Sequence, residues 1–336
     1  MRTAALFVFV TAVSLLAWPV TDSRGDDDAD YRACRDEEDP NLALAACSRA
    51  IESPRREPIE RARILNNRAI VLTELGQQRA AIADYSEVLK DYPGEYKIWN
   101  KRGRLYRQLN DYDQAIHDFT KAIELRPSEA VYLSNRGLAC KQKGDHGRAI
   151  ADYDAALRIE PDNDMTLHNR GVLHRLLKNF GKALTDLERS LSLDPDDVST
   201  MTEIGGIYAD QQRHDEAVTY FDRAIAQAPK YGNAWFQRGL SYRALGRHDL
   251  ALRDLEQAEK LGINDNELFA ALTSLRRIAA VKMVLKAASP TGGVDASPTG
   301  GAQAPGKSAG GSGPVGVSVA QPPTNPDFDM GGELDF

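Results

Sequence analysis

The chain has 336 residues and a formal net charge of −7, with 42% hydrophobic and 27% charged residues. These values are typical of a soluble globular protein of about two domains. The negative charge argues against nucleic acid as the main partner, because phosphate binding favours a cationic surface. Three cysteines are too few for a disulfide scaffold or for an all-cysteine zinc site.

Residues 1–25 have the pattern of a secretory signal. Arg2 precedes an apolar run over residues 4–18, and Ser23 and Gly25 have the spacing of a signal-peptidase site. We therefore predict an exported protein, periplasmic or secreted, with cleavage directly after the second of these small residues. An uncleaved membrane anchor is the alternative, because the apolar run is nearly long enough to span a bilayer. No other membrane contact is expected.

The middle of the chain repeats with a period of 34 residues. Proline recurs at this spacing at Pro93, Pro127, Pro161, Pro195 and Pro229. Two series of small residues precede the prolines and continue once beyond them: Ala81, Ala115, Ala149, Ala183, Ala217 and Ala251, and Ala69, Gly103, Gly137, Gly171, Gly205 and Gly239. A large residue recurs between them at Tyr85, Phe119, Tyr153, Leu187, Phe221 and Leu255. Small residues allow two helices to approach closely, and large ones fill the space beside them.

This pattern resembles the tetratricopeptide repeat family, whose unit is a helix–turn–helix of 34 residues. The resemblance covers residues 62–263 with six repeats, and it implies an all-α fold, a right-handed superhelical solenoid. Residues 26–61 are predicted to form a degenerate N-terminal helix pair. Residues 264–287 are predicted to form a C-terminal capping helix with Asn264 as its N-cap, because the last repeat of a solenoid needs its apolar face covered.

Residues 288–336 differ from the rest in composition. They contain eleven glycines and seven prolines, so they cannot bury enough apolar surface to order themselves. We predict a disordered tail. Its acidic and aromatic end, residues 325–336, is a candidate docking motif for the protein's own groove or that of a neighbour, with a solvated end that has no partner as the alternative.

Five of the six repeats share an arginine in the first helix and an aspartate in the second. The pairs are Arg68 and Asp84, Arg102 and Asp118, Arg136 and Asp152, Arg170 and Asp186, and Arg238 and Asp254. The fifth repeat has Ile204 and Tyr220 in these two positions, so it lacks both charges together. Coupled loss predicts that the two positions touch and that each pair locks helix against helix.

Two cysteines precede the repeats. The resemblance places Cys34 and Cys47 in positions that face each other in the family, which predicts a disulfide in an exported protein; two reduced core thiols are the alternative. Asp39 and Pro40 between them are typical of an N-cap and the first residue of a helix. Cys140 takes a core position of a first helix, so we interpret it as a packing residue rather than a reactive thiol.

The sequence contains no convincing catalytic motif, and we predict that the protein is not an enzyme. Residues 301–308 fit the phosphate-loop spacing and residues 306–310 fit the hydrolase Gly-x-Ser-x-Gly pattern. Both motifs need a strand before them and a helix after them, and here neither pattern is present. The six histidines have no metal-ligand spacing. No metal and no cofactor are therefore expected.

In the tetratricopeptide family the first helices line a concave groove, and the resemblance makes this groove the candidate binding site. The residues predicted to line it and bind the partner are Asn67, Lys97, Lys101, Arg104, Arg107, Asn135, Lys141, Asn169, Arg175 and Arg243. Asparagine amides suit an extended peptide backbone, and the basic residues suit an acidic protein or peptide. Ordinary solvated helix residues are the alternative.

These observations predict a non-catalytic scaffold in the cell envelope that presents its groove to a protein or peptide. Two other roles stay open. The first is that of an architectural or oligomerising spacer of an envelope complex, and the second is that of an accessory subunit of a cell-wall enzyme.

Overall fold

Helices and short turns make up the part of the chain that the computed structural model describes, residues 23–53 and 56–288, with side chains described from residue 29 to residue 285. The helices are α1 Ser23–Asp36, α2 Pro40–Glu52, α3 Pro58–Glu74, α4 Gln78–Asp91, α5 Tyr96–Gln108, α6 Tyr112–Leu125, α7 Ala130–Lys143, α8 His146–Ile159, α9 Asp164–Leu176, α10 Phe180–Leu193, α11 Val198–Asp210, α12 His214–Gln227, α13 Gly232–Ala244, α14 His248–Lys260 and α15 Asn266–Ala288. No strand occurs in these ranges. The all-α prediction is confirmed.

The predicted signal and tail fall almost wholly outside the described residues. Residues 1–22 and 289–336 are not described, so cleavage of the signal and disorder of the tail stay predictions. Ser23 to Gly25 form the beginning of α1, and Ala288 is the last residue of α15.

The chain divides into two units inside α8. The N-terminal unit comprises the residues up to Asp152, and the C-terminal unit comprises those from Tyr153. Helices α1 to α7 belong to the N-terminal unit and α9 to α15 to the C-terminal unit. In both units each helix packs against the next along the chain, as a helix–turn–helix repeat requires.

The small and large positions of the repeat meet as predicted. A Cβ atom on Gly103 in α5 would lie 2.9 Å from the ring of Phe119 in α6, and one on Gly239 in α13 would lie 2.8 Å from Leu255 in α14. Phe119 and Leu255 are fully buried. The absence of a side chain thus lets the first helix approach the large residue of the second at van der Waals distance.

The turns between the two helices of each repeat need a left-handed residue. Glycine supplies it in three repeats, where Gly76, Gly144 and Gly246 have φ angles of 71°, 92° and 71°. The other three repeats place the non-glycine residues Asn110, Lys178 and Gln212 in the same conformation, at φ angles of 61°, 58° and 62°. A side chain is strained there, so these three turns cost stability that the glycine turns do not.

All five predicted Arg–Asp pairs form. In each pair the arginine Nε and Nη2 donate to the two carboxylate oxygens at 2.6–3.0 Å. The aspartates are buried, so the pairs join the two helices of a repeat away from solvent. In the fifth repeat Ile204 is buried instead, and the ring of Tyr220 stacks on that of Tyr208 at 5.5 Å.

The same arginines also bind the preceding repeat, which the sequence analysis did not foresee. The Nη1 atom donates to a residue in the preceding second helix in four of the five cases, by the bonds Arg102–Ser86 at 2.9 Å, Arg136–Thr120 at 3.2 Å, Arg170–Asp154 at 2.7 Å and Arg238–Asp222 at 2.5 Å. One guanidinium therefore joins three helices, two in its own repeat and one in the repeat before it.

A disulfide bond closes the N-terminal helix pair. Cys34 in α1 and Cys47 in α2 are bonded, with their Cα atoms 4.5 Å apart, as predicted. The Asp39 side chain accepts from the backbone N–H groups of Asn41 and Leu42, and Pro40 is the first residue of α2. The N-cap prediction is therefore confirmed, and the capped turn holds the two cysteines on facing helices.

The predicted capping helix is α15. Leu268, Ala271, Leu272 and Leu275 are buried on one side of it and pack in one cluster with residues of α13 and α14 that include Leu255. The prediction of the cap is confirmed.

The predicted N-cap of this helix was wrong by one residue. The Glu267 N–H donates to the Asp265 carboxylate at 2.7 Å, and the Phe269 N–H donates to the Asp265 carbonyl at 3.2 Å. The turn after α14, which contains Gly262 at a φ of 90°, occupies one residue more than expected. Asp265 rather than Asn264 is therefore the N-cap of α15, which begins at Asn266.

Candidate partner-binding face

The first helices of the N-terminal unit are joined by a row of polar side chains. Lys101 Nζ in α5 donates to Asn66 Oδ1 in α3 at 3.3 Å. Asn135 Nδ2 in α7 donates to Asn100 Oδ1 in α5 at 2.9 Å. Successive first helices thus meet through equivalent positions and form one continuous polar surface, which we call the first-helix face of the N-terminal unit.

This face is rich in cations. Helix α5 carries Lys97, Lys101, Arg102, Arg104 and Arg107, and neither α5 nor α7 contains an aspartate or glutamate. Arg102 pairs with its buried aspartate, and all five cations of α5 are partly exposed. In a protein with a net charge of −7, two successive first helices without a carboxylate form a local basic surface.

Seven of the ten predicted binding residues lie in the N-terminal unit. They are Asn67 on α3, Lys97, Lys101, Arg104 and Arg107 on α5, and Asn135 and Lys141 on α7. Asn67 Oδ1 accepts from Asn66 Nδ2 at 3.3 Å, and Lys97 Nζ lies 5.9 Å from the centre of the Tyr96 ring. The other three predicted residues lie in the C-terminal unit.

Arg175 on α9 already binds two carboxylates. Its Nη1 donates to Glu203 Oε2 and its Nε donates to Asp210 Oδ2, both at 2.8 Å and both on α11. Burial disfavours the charged guanidinium, but the hydrogen bonds to Asp210 and Glu203 outweigh it and raise the pKa of Arg175. Its role toward an acidic partner stays a prediction that requires one of these two carboxylates to be displaced.

Gly206 makes room for this arginine. A Cβ atom there would lie 2.4 Å from Arg175 Nη1. Helix α11 contains Glu203 and Asp210 and no lysine or arginine, so its charge is opposite to that of α5. Asn169 lies partly buried on α9, and Arg243 on α13 donates to Glu267 Oε1 at 3.3 Å.

Two residues of the face were missed by the sequence analysis. Asn66 and Asn100 take the fifth position of their repeats, counted from residues 62 and 96, and are the acceptors of the two bonds that join α3, α5 and α7. The repeat itself carried the signal, because asparagine recurs there at an interval of 34 residues, next to the predicted groove residues Asn67 and Lys101.

The buried titratable groups indicate packing rather than catalysis. Cys140 is buried and reduced, and burial raises the pKa of its thiol to about 11, which removes the reactive thiolate at neutral pH. His174 is buried in α9, its Nδ1 has no hydrogen-bond partner, and burial lowers its pKa. Among the described residues, no three or more histidine, cysteine or acidic side chains come together as metal ligands.

Family models for tetratricopeptide repeats match residues 66–116, 100–164, 165–197 and 196–264, which together exceed half of the chain. The chain belongs to the tetratricopeptide repeat family. Members are in general non-catalytic scaffolds that bind proteins or peptides on surfaces formed by successive repeats. No curated protein sequence matches this tetratricopeptide repeat protein.

Solved structures agree with the family. A tetratricopeptide repeat protein from Parabacteroides merdae is 18% identical, with a TM-score of 0.63 over 75% of this chain and 98% of that one. PilW, a type IV pilus biogenesis factor, is 21% identical, with a TM-score of 0.58 over 65% of this chain and 100% of that one. The pilF protein of Pseudomonas aeruginosa is 16% identical, with a TM-score of 0.52 over 57% and 88%. These likenesses establish the shared fold.

The described helices include none with the length and apolar character needed to cross a membrane.

Proposed function

We propose that this tetratricopeptide repeat protein is an exported, non-catalytic scaffold that binds an acidic segment of a partner protein on the first-helix face of its N-terminal unit. The observation that carries the proposal is the pair of neighbouring helices α5 and α7, which carry lysines and arginines and no carboxylate. A carboxylate-bearing ligand there meets cations on both helices, and neither helix contributes a negative charge of its own.

The polar row of the face supports a peptide as the ligand. The asparagines of α3, α5 and α7 present amides beside the cations, and an amide both donates to and accepts from a peptide backbone. Cations then select for acidic side chains while the amides hold the main chain. Helix α11 of the C-terminal unit, with Glu203 and Asp210, disfavours the same ligand.

The disulfide supports export. Bonds such as Cys34–Cys47 persist in oxidising compartments and are rare in the cytosol. The apolar run at residues 4–18 agrees with this, so we propose a location in the cell envelope or outside the cell. Peptide mapping of the native protein under non-reducing conditions tests it: a bonded Cys34–Cys47 peptide is expected, and a reduced pair in freshly isolated protein would oppose export.

The binding proposal is tested with two fluorescent probe peptides of equal length, one of alternating Glu and Ala and one of alternating Lys and Ala. We expect the acidic probe alone to bind. The double variant Arg104→Gln/Lys141→Gln should bind it about 30-fold more weakly, at about 1 kcal/mol for each cation.

The matched control is Lys90→Gln/Lys121→Gln, which removes two charges from the second helices α4 and α6 of the same unit. Its affinity should stay within about twofold of the wild type, because only the long-range field changes. Equal losses in both double variants would mean that net charge, not this face, attracts the probe. Absence of binding to either probe would favour the architectural or accessory role instead.

A further inference from the structure

The second half of α15 carries the densest group of exposed apolar side chains among the described residues. Ile278, Val281, Met283, Val284 and Leu285 are 40%, 55%, 73%, 68% and 64% exposed, although they lie within eight consecutive positions. The buried side of the helix ends at Leu275. An exposed apolar group of this kind marks an interaction surface, since a solvated helix face is normally polar.

Four of these residues, Ile278, Val281, Val284 and Leu285, lie on one side of the helix and are accompanied by positive charge. Ile278, Val281 and Leu285 are three and four residues apart, so they line up along one helical face. Arg277 and Lys282 lie among them, and α15 from Arg276 onward contains no acidic residue. Lys282 donates to Asp249 at 2.8 Å in an exposed ion pair, which a competing carboxylate replaces at little cost.

The chain itself contains a segment of complementary chemistry. Residues 325–336 carry four acidic side chains, Asp327, Asp329, Glu333 and Asp335, and four large apolar ones, Phe328, Met330, Leu334 and Phe336. The segment has no basic residue, whereas α15 has four, so the charges of the two are opposite. A second copy of α15 would instead bring like charges together.

The length of chain between the two supports this pairing. Residues 289–324 connect the end of α15 to the acidic segment, contain no aromatic residue, and are rich in glycine and proline. A flexible chain of about 36 residues spans roughly 30–36 Å on average. The apolar face lies within about 15 Å of the point where this chain leaves the helix, at 1.5 Å per residue. The segment is therefore held near the face at an effective concentration in the millimolar range.

We propose that the acidic–aromatic segment 325–336 docks on the face of α15 formed by Ile278, Val281, Val284 and Leu285, within the same molecule. Its apolar side chains cover this face, and its carboxylates pair with Arg277 and Lys282. Docking there leaves the first-helix face of the N-terminal unit available to an external partner.

Paramagnetic broadening in the full-length protein tests the proposal. The variant Gly331→Cys accepts a spin label inside the segment, because Cys34 and Cys47 are bonded and Cys140 is buried. We expect the label to broaden the methyl signals of Val281 and Val284 at least several-fold more than those of Val131 on α7, which is also exposed. The broadening should weaken with salt and persist on dilution, since the tether is intramolecular.

Variants separate the docked segment from a freely sampling tail. Phe328→Ser/Phe336→Ser in the labelled chain should reduce the broadening to the level of a flexible tether, and Val281→Asp should reduce it at Val284. The matched control Phe269→Ser changes an exposed apolar residue of α15 outside the face and should have no effect. At a dissociation constant of about 1 mM, the tethered segment is about half docked, whereas about 0.1 mM free peptide occupies about a tenth of the sites.

Three results would overturn the proposal. Strong broadening at Val131 instead of Val281 would place the segment on the first-helix face. Broadening that disappears on dilution would assign docking to a neighbouring molecule. Absence of broadening, together with binding of the full chain to phosphatidylglycerol vesicles that Val281→Asp abolishes, would make the face a lipid-binding surface.

Discussion

Replacing Asp118 by alanine removes the carboxylate that binds Arg102 between α5 and α6. The aspartate side chain is completely buried and the arginine is 12% exposed, with Nε–Oδ2 and Nη2–Oδ1 distances of 2.7 Å and 2.9 Å. Loss of one partner of a buried ion pair costs about 3–5 kcal/mol, because the other charge stays buried and unpaired. Arg102 keeps its bond to Ser86, so we expect a loss of about 3 kcal/mol.

The fifth repeat supplies a neutral version of the same site. There Ile204 and Tyr220 replace the charged pair, and Tyr220 stacks on Tyr208. The second repeat has Tyr106 in the position of Tyr208. The double variant Arg102→Ile/Asp118→Tyr therefore gives the second repeat the same isoleucine and two tyrosines that the fifth repeat has. Because no charge is left unpaired, we expect this double variant to lose about 1 kcal/mol or less, far below the sum of its two single variants.

Urea unfolding followed by far-UV circular dichroism and by tryptophan fluorescence measures these differences. Both probes must give one transition for each variant before free energies are compared, because repeat proteins can unfold in steps. The control is Glu87→Ala, which breaks an exposed pair with Arg61 and should cost under about 1 kcal/mol. A loss for Asp118→Ala as small as the control, or a double variant that loses the sum of the singles, would refute the reasoning.

Three further predictions concern the disulfide, the turns and the buried histidine. Reducing the Cys34–Cys47 bond, or replacing Cys47 by serine, should lower the free energy of unfolding of the N-terminal helix pair by about 3 kcal/mol, measured by native-state hydrogen exchange of α1 and α2. Lys178→Gly should stabilise the protein by up to about 1 kcal/mol in urea unfolding because its φ is 58°, whereas Gly144→Ala at a φ of 92° should destabilise it; equal effects of the two would contradict the turn argument. Burial lowers the pKa of His174 below its ordinary value of 6.5, so the unfolded state binds the proton more readily and stability should fall as the pH drops through about 6.5. His174→Tyr should flatten this fall in melting temperature, and an unchanged pH dependence would exclude His174 as its source.

The repeat period made much of the fold readable from sequence. A position that recurs every 34 residues is sampled six times, so the exception in the fifth repeat identified the contact between Arg102 and Asp118 and its equivalents. The disulfide followed from the same register. The N-cap at Asp265 did not, because it lies beyond the last repeat, where only local turn geometry decides between two adjacent capping residues.

The candidate site was less predictable because its contacts differ from repeat to repeat. Arg175 takes a position where basic residues recur, but its environment depends on Glu203 and Asp210, and only the fifth repeat has acidic residues at both of these positions. A pattern gives the type of residue at a position and not the rotamer it adopts toward a neighbouring repeat. The second bond of Arg102, to Ser86, was missed for the same reason.

Helix α15 imitates the repeat that would come next. In four repeats, a residue of the second helix accepts a hydrogen bond from the arginine of the following repeat; these residues are Ser86, Thr120, Asp154 and Asp222. The equivalent residue of the sixth repeat is Glu256. No seventh repeat follows, and Arg276 of α15 donates to Glu256 at 3.4 Å and to Glu259 at 3.1 Å. The acceptor that would join an added repeat, or the first repeat of another molecule, is therefore already occupied. Helix α15 therefore prevents end-to-end stacking of repeats from different molecules.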